Sequence, residues 1–163
     1  MDNKMKLKKI VYTGLMIAVV FVLTRFTAIS FTVGYFNLGD IGIILTSSIL
    51  GGFSGMIAGG VGSALADISY GAMIFAPVTL VVKGIEGYLL GILLNRYKDK
   101  IKPLPAISVS LAFMVFGYFI ATVFLFNLEA ALADSLSTLI QAVVSVVVGY
   151  AIISMNFVRR LSL

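Results

Sequence analysis

Long apolar stretches broken by short polar ones run the length of the chain, and their lengths define its elements. A helix that crosses a bilayer needs about 20 mostly apolar residues. The stretch from Lys9 to Ala28 meets that length and predicts a first helix over about 9–28. Ile29 to Asn37, with Ser30, Thr32 and Gly34, reads as a loop. From Leu38 to Ala66 the chain is apolar but interrupted at Gly51-Gly52, which predicts two shorter helices over 38–51 and 53–66. Asp67 to Pro77 reads as a loop, ended by a proline suited to a first helical turn. Further helices are expected over 78–95, 106–126 and 135–158, separated by the hydrophilic RYKDKIKPLP linker and by NLEAALAD. The expected architecture is therefore all-α, one polytopic domain over 1–163 with six transmembrane helices.

The basic residues test that count. They fall in three blocks: Lys4, Lys6, Lys8 and Lys9; Arg96, Lys98, Lys100 and Lys102; and Arg159 and Arg160. With six helices all three blocks reach one side of the membrane, as the positive-inside rule requires, and both termini are cytoplasmic in the plasma membrane. Merging the second and third helices would send the later blocks to the opposite side, so the Gly51-Gly52 break carries weight. The net charge of +5 is thus a topogenic pattern, not a nucleic-acid-binding face. The first apolar run is too long for a cleaved signal segment and is expected to be retained.

Composition agrees with lipid as the solvent. Hydrophobic residues make up 60% of the chain, charged residues only 12%, and the mean hydropathy is +1.10. A small soluble globule has no interior large enough to hide that much apolar surface. Cysteine and histidine are both absent, which excludes disulfides, thiolate nucleophiles, Cys/His zinc sites and imidazole catalysis. No P-loop motif is present, so the chain carries no ATPase signature of that kind. No catalytic residue, metal ligand or cofactor is expected.

Charges inside apolar helices are costly and mark candidate sites. Lys83 and Glu86 stand three residues apart on one face of the fourth helix, roughly 9 and 13 Å below its outer end. Either the two neutralise each other and fix packing, or they open on a site for a polar ligand. Arg25 lies near the end of the first helix, where a structural role is expected. Gln141, Asn127, Asn37, Asp40 and Tyr70 are expected near the same outer mouth, where amides, charges and an aromatic surface suit a small polar ring. Asp40, Asp67 and Asp134 are equally readable as helix caps or solvated loop charges. The Gly55/Gly59 and Gly87/Gly91 pairs predict close helix packing within the subunit.

Taken in order, a basic N-terminus before the small-xxx-small step Gly14–Ala18, the N-L-G-D element Asn37–Asp40, the Gly/Ala-rich run Gly51–Ala66, and Pro77 with Lys83, Gly84, Glu86 and Gly87 form a set. That set resembles the S components of energy-coupling factor (ECF) vitamin transporters. The resemblance implies a substrate-binding membrane subunit that captures a vitamin or precursor outside. Its partners would be a transmembrane T component and two ATPase subunits, with Gly14 and Ala18 forming the docking face. It implies a ligand site near the outer surface, compatible with Lys83, Glu86, Asn127, Gln141, Tyr70 and Asn37. Hydroxymethylpyrimidine, pyridoxine and riboflavin-like compounds fit, and so does pantothenate with Lys83 facing its carboxylate. A self-contained homo-oligomeric channel or small secondary transporter is the alternative.

Overall fold

Among the described residues, six helices follow one another as α1 (Asn3–Phe26), α2 (Gly39–Leu50), α3 (Gly52–Tyr70), α4 (Ala76–Asn95), α5 (Pro103–Leu125) and α6 (Leu128–Ser154). The computed structural model describes residues 3–97 and 100–155. Lys98, Arg159, Arg160 and the expected end of the last helix near 158 lie outside the described residues.

The break between α2 and α3 sits at Gly51, whose φ of 85° closes one helix and opens the next. A left-handed backbone of this kind is open to glycine and strained for other residues. Between α1 and α2 the expected loop contains a small antiparallel ribbon, β1 (Ile29–Ser30) and β2 (Tyr35–Phe36), with Ser30 opposite Tyr35.

Three helix limits differ from the sequence expectation. α3 runs on through Tyr70, so Asp67 is a buried helical residue and not a loop charge. α6 begins at Leu128, because the Asn127 side chain accepts a hydrogen bond of 2.8 Å from the Ala130 N–H and caps it. NLEAALAD is therefore the helix start rather than a connection, and Asp134 lies inside the helix and is buried. At the other end of the molecule α1 begins at Asn3, taking in the lysines that were expected to precede it.

α2 occupies the middle. It packs against α1, α3, α4 and α6, while α3 against α4, α4 against α5 and α5 against α6 complete the bundle. Its 12 residues rise only about 18 Å. Among the described residues, four helices, α1, α4, α5 and α6, are long and apolar enough to cross a bilayer on their own. The two GxxxG steps meet each other across α3 and α4. A Cβ placed on Gly87 would collide with the Gly55 carbonyl, and one on Gly59 would stand 2.7 Å from the Lys83 carbonyl oxygen. Small residues here let two backbones touch, which is how helices associate where lipid supplies no hydrophobic drive.

The packing is inverted relative to a water-soluble protein. Lys83, Glu86, Asp40, Asp67, Asp134 and Gln141 are buried, while Phe26, Phe124, Val143 and Val147 stand exposed on the outside. An apolar skin over an interior that mixes these charged and polar side chains with apolar packing points to lipid as the surrounding solvent. Alternation of the six helices places the described basic residues Lys4, Lys6, Lys8, Lys9, Arg96, Lys100 and Lys102 at one end. The β ribbon and the α3–α4 and α5–α6 connections lie at the other.

Candidate ligand-binding site

At the ribbon end, a cavity opens between the helix ends. It encloses about 450 Å³ of empty space counting its mouth, of which about 40 Å³ can hold the centre of a water molecule. Its floor is a continuous polar chain running from the ribbon into α4. The Asn37 backbone N–H and side-chain amide donate to Gln141 Oε1 at 2.9 and 3.0 Å. Gln141 Nε2 donates to Asp40 Oδ2 at 2.8 Å, joined there by the Ser145 hydroxyl at 3.3 Å. Asp40 Oδ1 is ion-paired with Lys83, whose ammonium also lies 3.4 Å from Glu86 Oε2. Asn37 Oδ1 accepts from the Gly39 N–H at 2.9 Å, which ties the start of α2 into the same chain.

Five of the residues expected at the site are therefore brought together: Asn37, Asp40, Lys83, Glu86 and Gln141. Asn37, Lys83 and Gln141 line the cavity, whereas Asp40 and Glu86 sit behind them. Glu86 is completely buried, and neither of its oxygens has a hydrogen-bond partner among the described residues. Two expected members stand apart. Asn127 is exposed and caps α6, and it does not reach the cavity. Tyr70 lies at the rim, its ring 4.6 Å from that of Tyr35 and its hydroxyl 2.6 Å from that of Ser30. Gly14 and Ala18 are exposed along α1, and nothing packs within 4 Å of a Cβ on Gly14.

The rest of the wall comes from residues outside the expected set, and Asp67 and Asp134 among them read from the sequence equally as helix caps or loop charges. Asp67 accepts a hydrogen bond from the Tyr35 hydroxyl through Oδ1. Burial first, and then the Asp67 carboxylate, push the Tyr35 phenol above its ordinary value, so it remains a donor at neutral pH. Asp134 accepts from Thr122 at 3.2 Å and from Ser137 at 3.3 Å. Tyr118 donates to Thr79 at 2.9 Å, and its ring centre lies 5.7 Å from the Lys83 ammonium. Phe75, the residue before α4, packs on Phe126 at 5.8 Å. Two signals in the sequence point this way. Ser63 and Asp67 are four residues apart, and Asp134, Thr138 and Gln141 recur at three- and four-residue steps, so each set shares a helix face.

Residues 4–157 match the model of the ECF-type riboflavin transporter S component. The chain belongs to this S-component family. Two relatives agree in length with it. The thiamine precursor transporter HmpT of Lactococcus lactis is 30% identical over 152 residues, covering 91% of this chain and 87% of its own. A protein of Pyrococcus woesei, described as an uncharacterized protein in a gap 3′ region, is 36% identical over 116 residues, 71% of this chain and 78% of its own. As an S component the protein is a multi-pass membrane protein of vitamin or vitamin-precursor uptake, and its family is one of transporter subunits, not of enzymes.

Proposed function

We propose that this S component captures a small ring-shaped B vitamin or precursor from outside the cell and delivers it through a T component driven by two ATPase subunits. The observation that carries this reading is a polar, aromatic-walled cavity at the end of the bundle opposite the blocks of basic residues around Lys4–Lys9 and Arg96–Lys102. By the positive-inside rule that end faces outward, with six crossings and both termini in the cytoplasm. The site is built from Lys83, Asn37 and Gln141 at the cavity surface, with Asp40 and Glu86 holding Lys83 from behind. The compounds considered are hydroxymethylpyrimidine, pyridoxine and riboflavin-like rings; the likeness to a thiamine precursor transporter favours the first. The small cavity favours a single ring over a fused three-ring system for the same reason of size. Tyr70 belongs to the rim, and Asn127 to the cap of α6.

Gly14 and Ala18 lie on an open face of α1, and small residues there let a partner helix approach closely. That face is the proposed contact with the T component. The deciding experiment is a thermal-shift series of the purified chain against B vitamins and their precursors, followed by uptake with and without the T component and ATPases. One ring compound is expected to raise the melting temperature increasingly with its concentration, and uptake to need the partners. Robust accumulation by the chain alone in a host without those ATPases would support a self-contained carrier instead.

A further inference from the structure

Among the described residues, three buried polar groups in the cavity wall have no hydrogen-bond partner: Asp67 Oδ2, Ser63 Oγ and Thr24 Oγ1. Asp67 and Thr24 are each 2% exposed and Ser63 is 1% exposed. A buried polar group left unpaired is costly, so orphans that converge on one cavity describe the complement of what fills it. Hydroxyls donate or accept, but a carboxylate oxygen only accepts. The occupant must therefore bring a donor to Asp67.

The charges around the cavity agree. Asp67 and Asp134 both line it. The one ammonium in the wall, Lys83, is already held by Asp40 and Glu86. Arg25, at the same end, lies over the rings of Phe26 and Tyr70 and does not line the cavity. An anionic ligand would find two carboxylates and a cation already paired twice.

Resting on the S-component reading above, we infer that Asp67 is the specificity-determining residue, and that it selects a flat ring bearing an amino group beside a protonatable ring nitrogen. Such an edge offers N–H donors, and a positive charge when protonated, to the open Asp67 oxygen. Tyr35 fixes the carboxylate by occupying its other oxygen. Ser63, one turn before Asp67 on α3, is placed for a heteroatom beside that edge. Tyr118 and Phe75 supply the ring faces. Carboxylate-bearing ligands such as pantothenate are disfavoured, because Lys83 is not free to receive them.

The test compares hydroxymethyl-aminopyrimidine with its deaminated oxo counterpart, in which the amino donor becomes a carbonyl acceptor and the adjacent ring nitrogen carries a neutral N–H, so that the edge turns a carbonyl oxygen toward the carboxylate and no longer takes a positive charge. Isothermal titration on the purified wild-type chain is expected to favour the amino ring by about 30-fold, the scale of losing a charge-assisted hydrogen bond and setting a carbonyl oxygen against the carboxylate. Asp67→Asn, whose amide can donate to the carbonyl, is expected to lose that preference or reverse it. Tyr35→Phe frees the carboxylate to move and is expected to weaken amino-ring binding less than Asp67→Asn does. If Asp67→Asn does not fold, the wild-type ratio decides alone. Equal affinity for the two pyrimidines, or an Asp67→Asn variant with an unchanged ratio, overturns the inference. Binding of riboflavin or pantothenate in place of the aminopyrimidine overturns it while sparing the S-component reading. Failure of every ring compound to bind overturns both.

Discussion

Lys83 is held between two carboxylates about two helical turns into α4, and the three residues are almost completely excluded from solvent. Two acids against one base leave an excess of negative charge when all three ionise, and Glu86 is the member without hydrogen bonds. Removing the cation and removing the spare anion should therefore act in opposite directions. Lys83→Met is expected to destabilise the detergent-purified protein by roughly 3–5 kcal/mol, because it leaves buried carboxylates facing each other. Glu86→Gln keeps the shape, reduces the excess charge, and is expected to melt at or above the wild-type temperature. Equal melting of Lys83→Met and wild type would show that the triad does not hold the fold. At this scale the sequence made Lys83 and Glu86 legible, because charged residues in an apolar helix stand out. It gave Asp67 and Asp134 no such contrast, since both lie within a few residues of polar connections.

Gly34 shows how one connection serves the site. It has φ of 68° in the turn between β1 and β2, and a Cβ there would run into the Asp134 carboxylate. Gly34→Ala is expected to cost about 1 kcal/mol or more through backbone strain and to displace Asp134 from the cavity wall. Its ligand affinity should fall further than its melting temperature, and titration beside a melting curve separates the two. Between elements, the α3–α4 contact depends on missing side chains. Gly87→Val places atoms where the Gly55 backbone lies, and is expected to leave no folded monomer by size-exclusion chromatography. Gly71 is the contrasting case. Its φ is 95° at the end of α3, but nothing lies within 4 Å, and Gly71→Asn is expected to cost under about 1 kcal/mol because asparagine tolerates that backbone. The break at Gly51 was readable from paired glycines in an apolar run. The true start of α6 was hidden because Glu129 and Asp134 resemble loop charges until the Asn127 cap is taken into account.

For the whole molecule, the separation of cavity and basic residues to opposite ends makes a directional prediction. The chain has no cysteine, so single cysteines can be introduced without altering a native one. In intact cells Ser30→Cys is expected to react with a membrane-impermeant maleimide, whereas Lys100→Cys reacts only after permeabilisation. Labelling of Lys100→Cys in sealed cells would invert the proposed orientation. Bulky Gly14→Phe and Ala18→Phe variants are expected to keep ligand binding but to lose co-purification with the T component, because their face on α1 is open and remote from the cavity.

The sequence alone determined the helical class, the number of helices and the inverted solvent preference. Each of these rests on local apolar runs, breaker glycines and blocks of charge, which act along the chain whatever the tertiary contacts. Only the tertiary structure decided which polar residues share a cavity. Asn37 and Gln141 are 104 residues apart and Asp40 and Lys83 are 43 apart, and their pairing follows from α2 running through the middle of the bundle. The same packing removed Asn127 from the expected site by making it a cap, and added Asp67, Ser63 and Thr24. Spacing along one helix shows which side chains share a face. It does not show what lies opposite that face, and the unpartnered groups of this cavity exist only in relation to what faces them.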